Sequence, residues 1–338
     1  MATIGMNGMS LLQLAKQTGS DGRILTIAEV LNRSLGFATV PWQQGNTDGG
    51  NEYSVRSALP VIGTRAAGQG AAVTNSVVQQ GIDSAVHLES PMIIDKLVYD
   101  KAGDKAKLLS NEAEAFIYAF GQAVMIEMFN GNRLQPNSVM QQRIDGFATR
   151  YNSSTTFKPV IILASNSPTN HSSIYGVTWG PQNAYGYTGN HFQAGLVQGP
   201  TQLETVWDNS TGTLTARKVY STIFEFTFGL TIENWRQVSR YANVDYALLT
   251  KNSASGEDLI QAMIRMIRAM MDVSRGKFHY YMNRDLYTYL DLQQTYKGNA
   301  LLKLEDVEGR EDKVDTFRGY PVIMVDNNVI VNNEAAVS

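Results

Sequence analysis

The chain has 338 residues, a net charge of -3 and an isoelectric point near 5.9, and it contains no cysteine. A mildly acidic chain with scattered Lys and Arg is unsuited to phosphate-backbone binding as its main task, and zero cysteines exclude disulfides, Cys-ligated zinc and thiol catalysis together. Charged residues make up 17%, below the ~25% of ordinary soluble domains, so much of the surface is neutral and fit for contact with other chains.

At this length two or more sub-domains are expected, since single cores stop growing near ~250–300 residues. No apolar run reaches the ~18–20 residues of a membrane span, and the start lacks a basic segment followed by an apolar one. The expectation is a soluble, unprocessed chain.

Residues 1–39 carry two short helical patterns, the second capped by Thr26 with Glu29 three residues on. Glycines at 5, 8, 19, 22 and 36 punctuate them, so the segment reads as an arm lying on something else. Residues 41–80 have no helical period; their glycines and β-leaning patches predict a long two-stranded excursion. An isolated hairpin is marginal in water, so this one needs another surface, here a neighbouring subunit, unless it is a mobile or functional loop.

Residues 82–99 read as strand, with Pro91 as a break or edge residue. The longest helix is predicted over 105–130, about 37 Å by the ~1.5 Å rise, with a broad apolar stripe from Leu108 to Phe129. Gly121 inside it costs ~1 kcal/mol against Ala and suggests close packing. A loop follows over 131–154, then strands at 160–164 and 173–180.

The stretch 185–199 is rich in Gly and aromatics, which fits a hairpin or a glycan-binding strip. Residues 203–245 alternate as strands do, turning at 209–212, and 251–256 is a linker. Residues 257–326 then read as helix, strand (KFHYYMN), helix (RDLYTYLDLQQ), a charged loop (LEDVEGREDK) and a closing strand (FRGYPVIMVD). In the first of these helices Met263, Met266, Met270 and Met271 fit an adaptable binding surface or a core face; the apolar band they share with Ile260, Ile264 and Ile267 favours core and leaves Arg265 and Arg268 outside.

No motif supplies a reaction centre. There is no Gly-x-Ser-x-Gly, no phosphate-binding GxxxxGK[ST], and the GQG at 68–70 does not sit between strand and helix. The histidines at 87, 171, 191 and 279 have no helical i, i+3 or i+4 partner; His171 and His191 can converge across a hairpin, but a metal needs three ligands or more. Glu305, Asp306 and Glu308 read as a solvated tip. Trp235, Arg236 and Arg240 fit a stacked cation-aromatic pair or a subunit contact. No catalytic, cofactor or metal residue is therefore assigned.

Several stretches, in order along most of the chain, resemble one family. They are ALPVIGTR with GQG at 58–70, IDGFATRYN at 144–152, SIYGVTWG at 173–180, GLTIENWRQVSRYANVD at 229–245, FHYYMNRDLYTYLD at 278–291 and FRGYPVIMVD at 317–326. They resemble the major capsid proteins of short-tailed bacteriophages; only the first ~40 residues carry little of the likeness.

The resemblance implies an α+β chain with the Hong Kong 97-like capsid fold. Its parts map to an N-terminal arm at 1–50, an extended hairpin (E-loop) at 51–82, a P-domain at 83–159 with its spine helix at 105–130, an A-domain over most of 160–315, and a C-terminal P-domain strand at 316–338. It implies a non-enzymatic, cofactor-free subunit forming hexamers and pentamers of an icosahedral virion shell around double-stranded DNA, with no sequence-specific binding and no membrane. Scaffolding, portal and decoration or cement proteins are the implied partners, and the host cytoplasm the place of assembly. Arg56, Arg65, Trp235, Arg236 and Arg240 are the candidate inter-subunit contacts. The alternatives are an encapsulin-like compartment of the same fold, or a carbohydrate-binding protein using the aromatics at 185–192. The Lys-Asn cross-link of some relatives is not placed on any residues here.

Overall fold

A computed structural model describes residues 36–47, 49–70, 73–156, 159–164, 170–189, 196–208, 215–251, 257–270, 272–297, 302–306 and 313–337. The predicted helices of the first 35 residues, the turn at 209–212, Phe192, His191, Met271 and most of the linker at 251–256 lie outside the described residues. Among the described residues no helix is long and apolar enough to cross a membrane.

The chain divides into two compact units. Among the described residues the first takes 87–123 and those of 193–227; the second takes those of 35–86, 124–192 and 228–338.

In the second unit, strands β1 (Trp42–Gln44), β2 (Gly50–Ala58) and β3 (Val77–Ser84) come first, and β2 and β3 pair antiparallel as a two-stranded sheet. The predicted excursion is therefore a hairpin. The central strand of the unit, β6 (His171–Trp179), is buried at all nine positions, as a strand covered on both faces must be. Beside it lie β5 (Ile161–Leu163) and β11 (Val238–Asp245) on one side and β12 (Lys277–Asn283) on the other, where β12 pairs in parallel with β15 (Tyr320–Val325).

The register of β6 and β11 shifts between Tyr241 and Val244. Asn243 sits there at φ 62°, a left-handed backbone that Asn tolerates better than most residues. Its amide holds the C-terminal segment with a reciprocal pair of bonds: Nδ2 donates to the Val337 carbonyl and Oδ1 accepts from the Val337 N–H, both at 2.8 Å.

The helix Leu259–Ala269 begins at Asp258, whose carboxylate accepts from the Gln261 N–H at 3.1 Å. It buries Leu259, Met263 and Met266 against Tyr280, Met282 and the helix Arg284–Lys297 through Leu286 and Leu290. Met263, Met266 and Met270 are core, and Arg265 and Arg268 are exposed, as the apolar period predicts.

Three elements in this region differ from the sequence reading. The two ends of the charged stretch lie in strands β13 (Leu302–Asp306) and β14 (Lys313–Phe317), paired antiparallel from Leu302–Phe317 to Asp306–Lys313, while 307–312, with Glu308, lie outside the described residues. A polar loop and a polar strand pair share a composition, and only the partner strand distinguishes them. FRGYPVIMVD is two elements, because Arg318 and Gly319 take positive φ and turn the chain between β14 and β15. Tyr185 and Tyr187 stand in β7 (Ala184–Thr188), buried at every position, so these two aromatics are interior and offer no surface to a glycan, while residues 190–192 of the expected strip lie outside the described residues.

In the first unit, β4 (Val86–Asp95, of which Val86 belongs to the second unit) keeps Pro91 in the strand. The predicted strand ends four residues early, at Asp95, whose carboxylate accepts the Leu97 N–H at 2.8 Å and caps a helix over Lys96–Lys101. β9 (Gln202–Asp208) pairs with the start of β10 (Thr215–Ile232) as the hairpin predicted there, and β4 is a further neighbour of β10. The predicted long helix is present over Lys105–Asn130, its residues from Val124 on belonging to the second unit. Its Phe116 stacks on Phe224 at 5.3 Å, and Tyr99 lies 4.2 Å from Tyr220. Gly121, however, faces open space: a Cβ there meets nothing within 4 Å, so it does not mark close packing.

Candidate assembly surfaces

The β2–β3 hairpin is built to project. At its base Asn51 and Asp83 are buried, while the distal residues 56–70 and 73–80 are exposed throughout. Two glycines allow the strands to close: a Cβ on Gly50 stands 2.1 Å from the Asp83 carbonyl oxygen, and one on Gly81 stands 2.5 Å from the Tyr53 ring.

The base is fixed by a polar cluster within the second unit. Arg150 Nη2 donates to Asp83 Oδ1 at 2.8 Å and to the Leu230 carbonyl at 3.0 Å, and its Nε donates to the Asp145 carbonyl at 2.7 Å. Burial works against the Arg150 charge, but the charge and hydrogen bond of Asp83 outweigh it and hold its pKa above the usual value. The Tyr187 hydroxyl donates to the Asp83 carbonyl at 2.7 Å, and Asn51 Nδ2 donates to Tyr185 Oη at 2.9 Å and Thr231 Oγ1 at 3.1 Å. Burial, and then the Asp83 charge, push the Tyr187 and Tyr53 phenols up. A cleft of about 130 Å³ beside this cluster is lined by Asp83, Arg133, Arg143, Asp145 and Arg150.

Beyond the base the hairpin is apolar and open. Ile62 and Val73 are 93% and 94% exposed, Leu59 74%, and Val61, Val77, Val78 and Ile82 are each more than half exposed. At roughly 2 kcal/mol per fully buried aliphatic side chain, covering this surface is worth on the order of 10 kcal/mol before ordering costs. Internal bonds shape the tip: Thr74 Oγ1 accepts from the Val61 N–H at 2.9 Å and donates to the Val61 carbonyl at 3.0 Å. Arg65 Nε donates to the Gln69 carbonyl at 2.7 Å, across a turn where Gly68 takes φ 85°.

A second exposed apolar site lies on the loop after the long helix. Leu134 and Val139 are more than four-fifths exposed, yet the loop is tied down. Arg143 pairs with the buried Glu127 at 2.8 Å and donates to the Gln135 and Asn130 carbonyls at 3.2 Å, and Asn137 Oδ1 accepts from the Val139 and Met140 N–H groups.

The five residues predicted to meet other subunits divide. Arg56, Arg65 and Arg236 are exposed and Trp235 is half-buried. Arg236 stacks over Trp235 at 5.0 Å. Arg240 is a correction: it is 2% exposed and belongs to the interior. Its Nη2 pairs with Glu334 Oε2 at 2.6 Å, Nε donates to Ser173 Oγ at 3.0 Å, Nη1 donates to the Tyr151 carbonyl at 2.6 Å, and its guanidinium lies over Tyr175, not Trp235. β11 is buried on both faces between β5 and β6, so Arg240 is enclosed whichever way it points, and its carboxylate partner lies 94 residues away.

The family model for Major capsid protein GP7 matches residues 19–338. The chain belongs to this family. No curated protein matches it. Among solved structures, the bacteriophage Epsilon15 structure superposes with a TM-score of 0.76 at 24% identity, covering 100% of this chain and 99% of that one. The bacteriophage JBD30 capsid matches with a TM-score of 0.50 at 10% identity, covering 96% of each. The fold is thus the α+β Hong Kong 97-like fold of phage capsids, as the resemblance implied, and the chain is a phage major capsid protein. The apolar hairpin and the tethered loop are thus exposed features of a capsid protein.

Proposed function

We propose that this capsid protein forms the hexamers and pentamers of an icosahedral shell around the phage's double-stranded DNA, and that the β2–β3 hairpin lies on a neighbouring subunit as its E-loop. The observation that carries this reading is the hairpin itself: a base fixed by the Asp83–Arg150 pair, and a projecting part whose large aliphatic side chains have nothing of their own unit to cover them. A closed shell of identical subunits gives every such hairpin a partner surface.

In this reading residues 1–50 are the arm, 51–82 the E-loop, 83–159 the P-domain, 160–315 mainly the A-domain, and 316–338 the strand that returns to the P-domain. Arg56, Arg65, Trp235 and Arg236 contact neighbouring subunits. The protein acts by assembly rather than catalysis, in the host cytoplasm, with scaffolding, portal and decoration proteins as further partners. The net charge of -3 suits it, because a strongly basic wall would hold packaged DNA by counterion release.

Deleting residues 66–75 tests the assignment. The variant is expected to remain a soluble subunit and to fail to build closed shells. Normal particles of the deletion by electron microscopy would overturn it.

A further inference from the structure

Outside the hairpin, the first unit carries a group of metal-ligating side chains that the capsid role does not use. His87 and Glu89 are two residues apart on β4, and Glu225 and Thr227 are two apart on β10, so each pair shares a face of its strand. The donor atoms of His87, Glu89 and Glu225 all lie within 4.8 Å of one another. The opposite face is packed: Leu88, Phe224 and Phe226 are buried, and Phe224 stacks on Phe116. The backbone that presents the three ligands is therefore rigid, and the ligands themselves face outward.

Two features distinguish this group from an ordinary charged face. His87 Nδ1 stands 2.8 Å from the Thr227 hydroxyl, a contact that fixes the imidazole plane as the hydrogen-bond partners of metal-bound histidines do. Glu89 and Glu225 bring two carboxylates together across neighbouring strands, where like charges repel, and a bound cation turns that repulsion into coordination. An imidazole nitrogen with carboxylate oxygens suits zinc and its neighbours in the first transition row, whereas calcium and magnesium take all-oxygen sets.

We propose that His87, Glu89 and Glu225 form a surface site for one divalent transition-metal ion per subunit, with Thr227 positioning the imidazole and water completing the coordination. The ion bridges β4 and β10 and so pins the strand pair.

The full-length protein, stripped with a chelator, is titrated with Zn²⁺ by calorimetry and with Co²⁺ by visible absorption. One ion per chain is expected, with the cobalt bands of a low-coordinate site, and with no comparable uptake of Ca²⁺. His87→Ala with Glu225→Gln abolishes binding, and Thr227→Val weakens it about tenfold. Both ligand changes fall on the outward face, and circular dichroism confirms that the variants fold. The proposal is overturned by absence of Zn²⁺ uptake, by equal binding of Ca²⁺, or by full binding in the double variant.

Discussion

The Asp83–Arg150 pair at the root of the hairpin gives the sharpest stability test. Asp83→Ala removes the carboxylate 2.8 Å from Arg150 Nη2 and leaves a guanidinium whose side chain is only 21% exposed. Breaking a buried pair from one side costs about 3–5 kcal/mol. The lower end, about 3 kcal/mol, applies here, because Arg150 keeps the Leu230 and Asp145 carbonyls as acceptors. Arg150→Met is expected to cost about 4 kcal/mol, since it strips the Arg150 bond from Oδ1 of a carboxylate that is 9% exposed and whose Oδ2 already has no hydrogen-bond partner. The double variant should cost less than the sum by at least about 1 kcal/mol, the signature of direct coupling. Urea unfolding of the unassembled subunit measures all three. A cost below about 0.5 kcal/mol for Asp83→Ala, or strict additivity in the double variant, would refute the claim that this pair fixes the hairpin.

Other outcomes follow from single positions. Gly50→Ala places a Cβ against the Asp83 carbonyl and should destabilise the subunit by at least about 2 kcal/mol in the same urea assay. Gly121→Ala meets open space inside a helix and should stabilise by up to about 1 kcal/mol, read as a raised thermal midpoint. Arg240→Met should lower subunit stability by about 3 kcal/mol through the unpaired Glu334, whereas Arg236→Ala should leave stability within about 0.5 kcal/mol and weaken assembly, read by light scattering of the assembling protein.

What the sequence made legible was whatever repeats locally. The helix at Lys105–Asn130, the Met-rich core helix and the alternation of 203–245 all announce themselves within one element's length. The helix at Lys96–Lys101 did not, because six residues are too few for a period and its one signal, Asp95 as a cap, sits inside an apolar run. Side-chain position relative to the surface was the weakest inference. Arg240 looked like a contact residue from its neighbours Trp235 and Arg236, but β11 lies beside β6 and turns Arg240 inward onto Glu334. Tyr185 and Tyr187 looked like a binding strip for the same reason, since nothing local reveals that β7 is covered. The His87, Glu89 and Glu225 group leaves no mark in helical i, i+4 spacing because its ligands meet across a strand pair, 136 residues apart in sequence for Glu89 and Glu225. The in-order family motifs reached further than any of these, because they sample many elements at once.

The central claim is that the exposed apolar hairpin is covered by a neighbouring subunit in the shell. Hydrogen exchange of its backbone, compared between the unassembled subunit and purified particles, tests this most directly. Protection should rise strongly over residues 53–80 on assembly while β6 and β12 change little. Equal protection of the hairpin in both states would contradict the account.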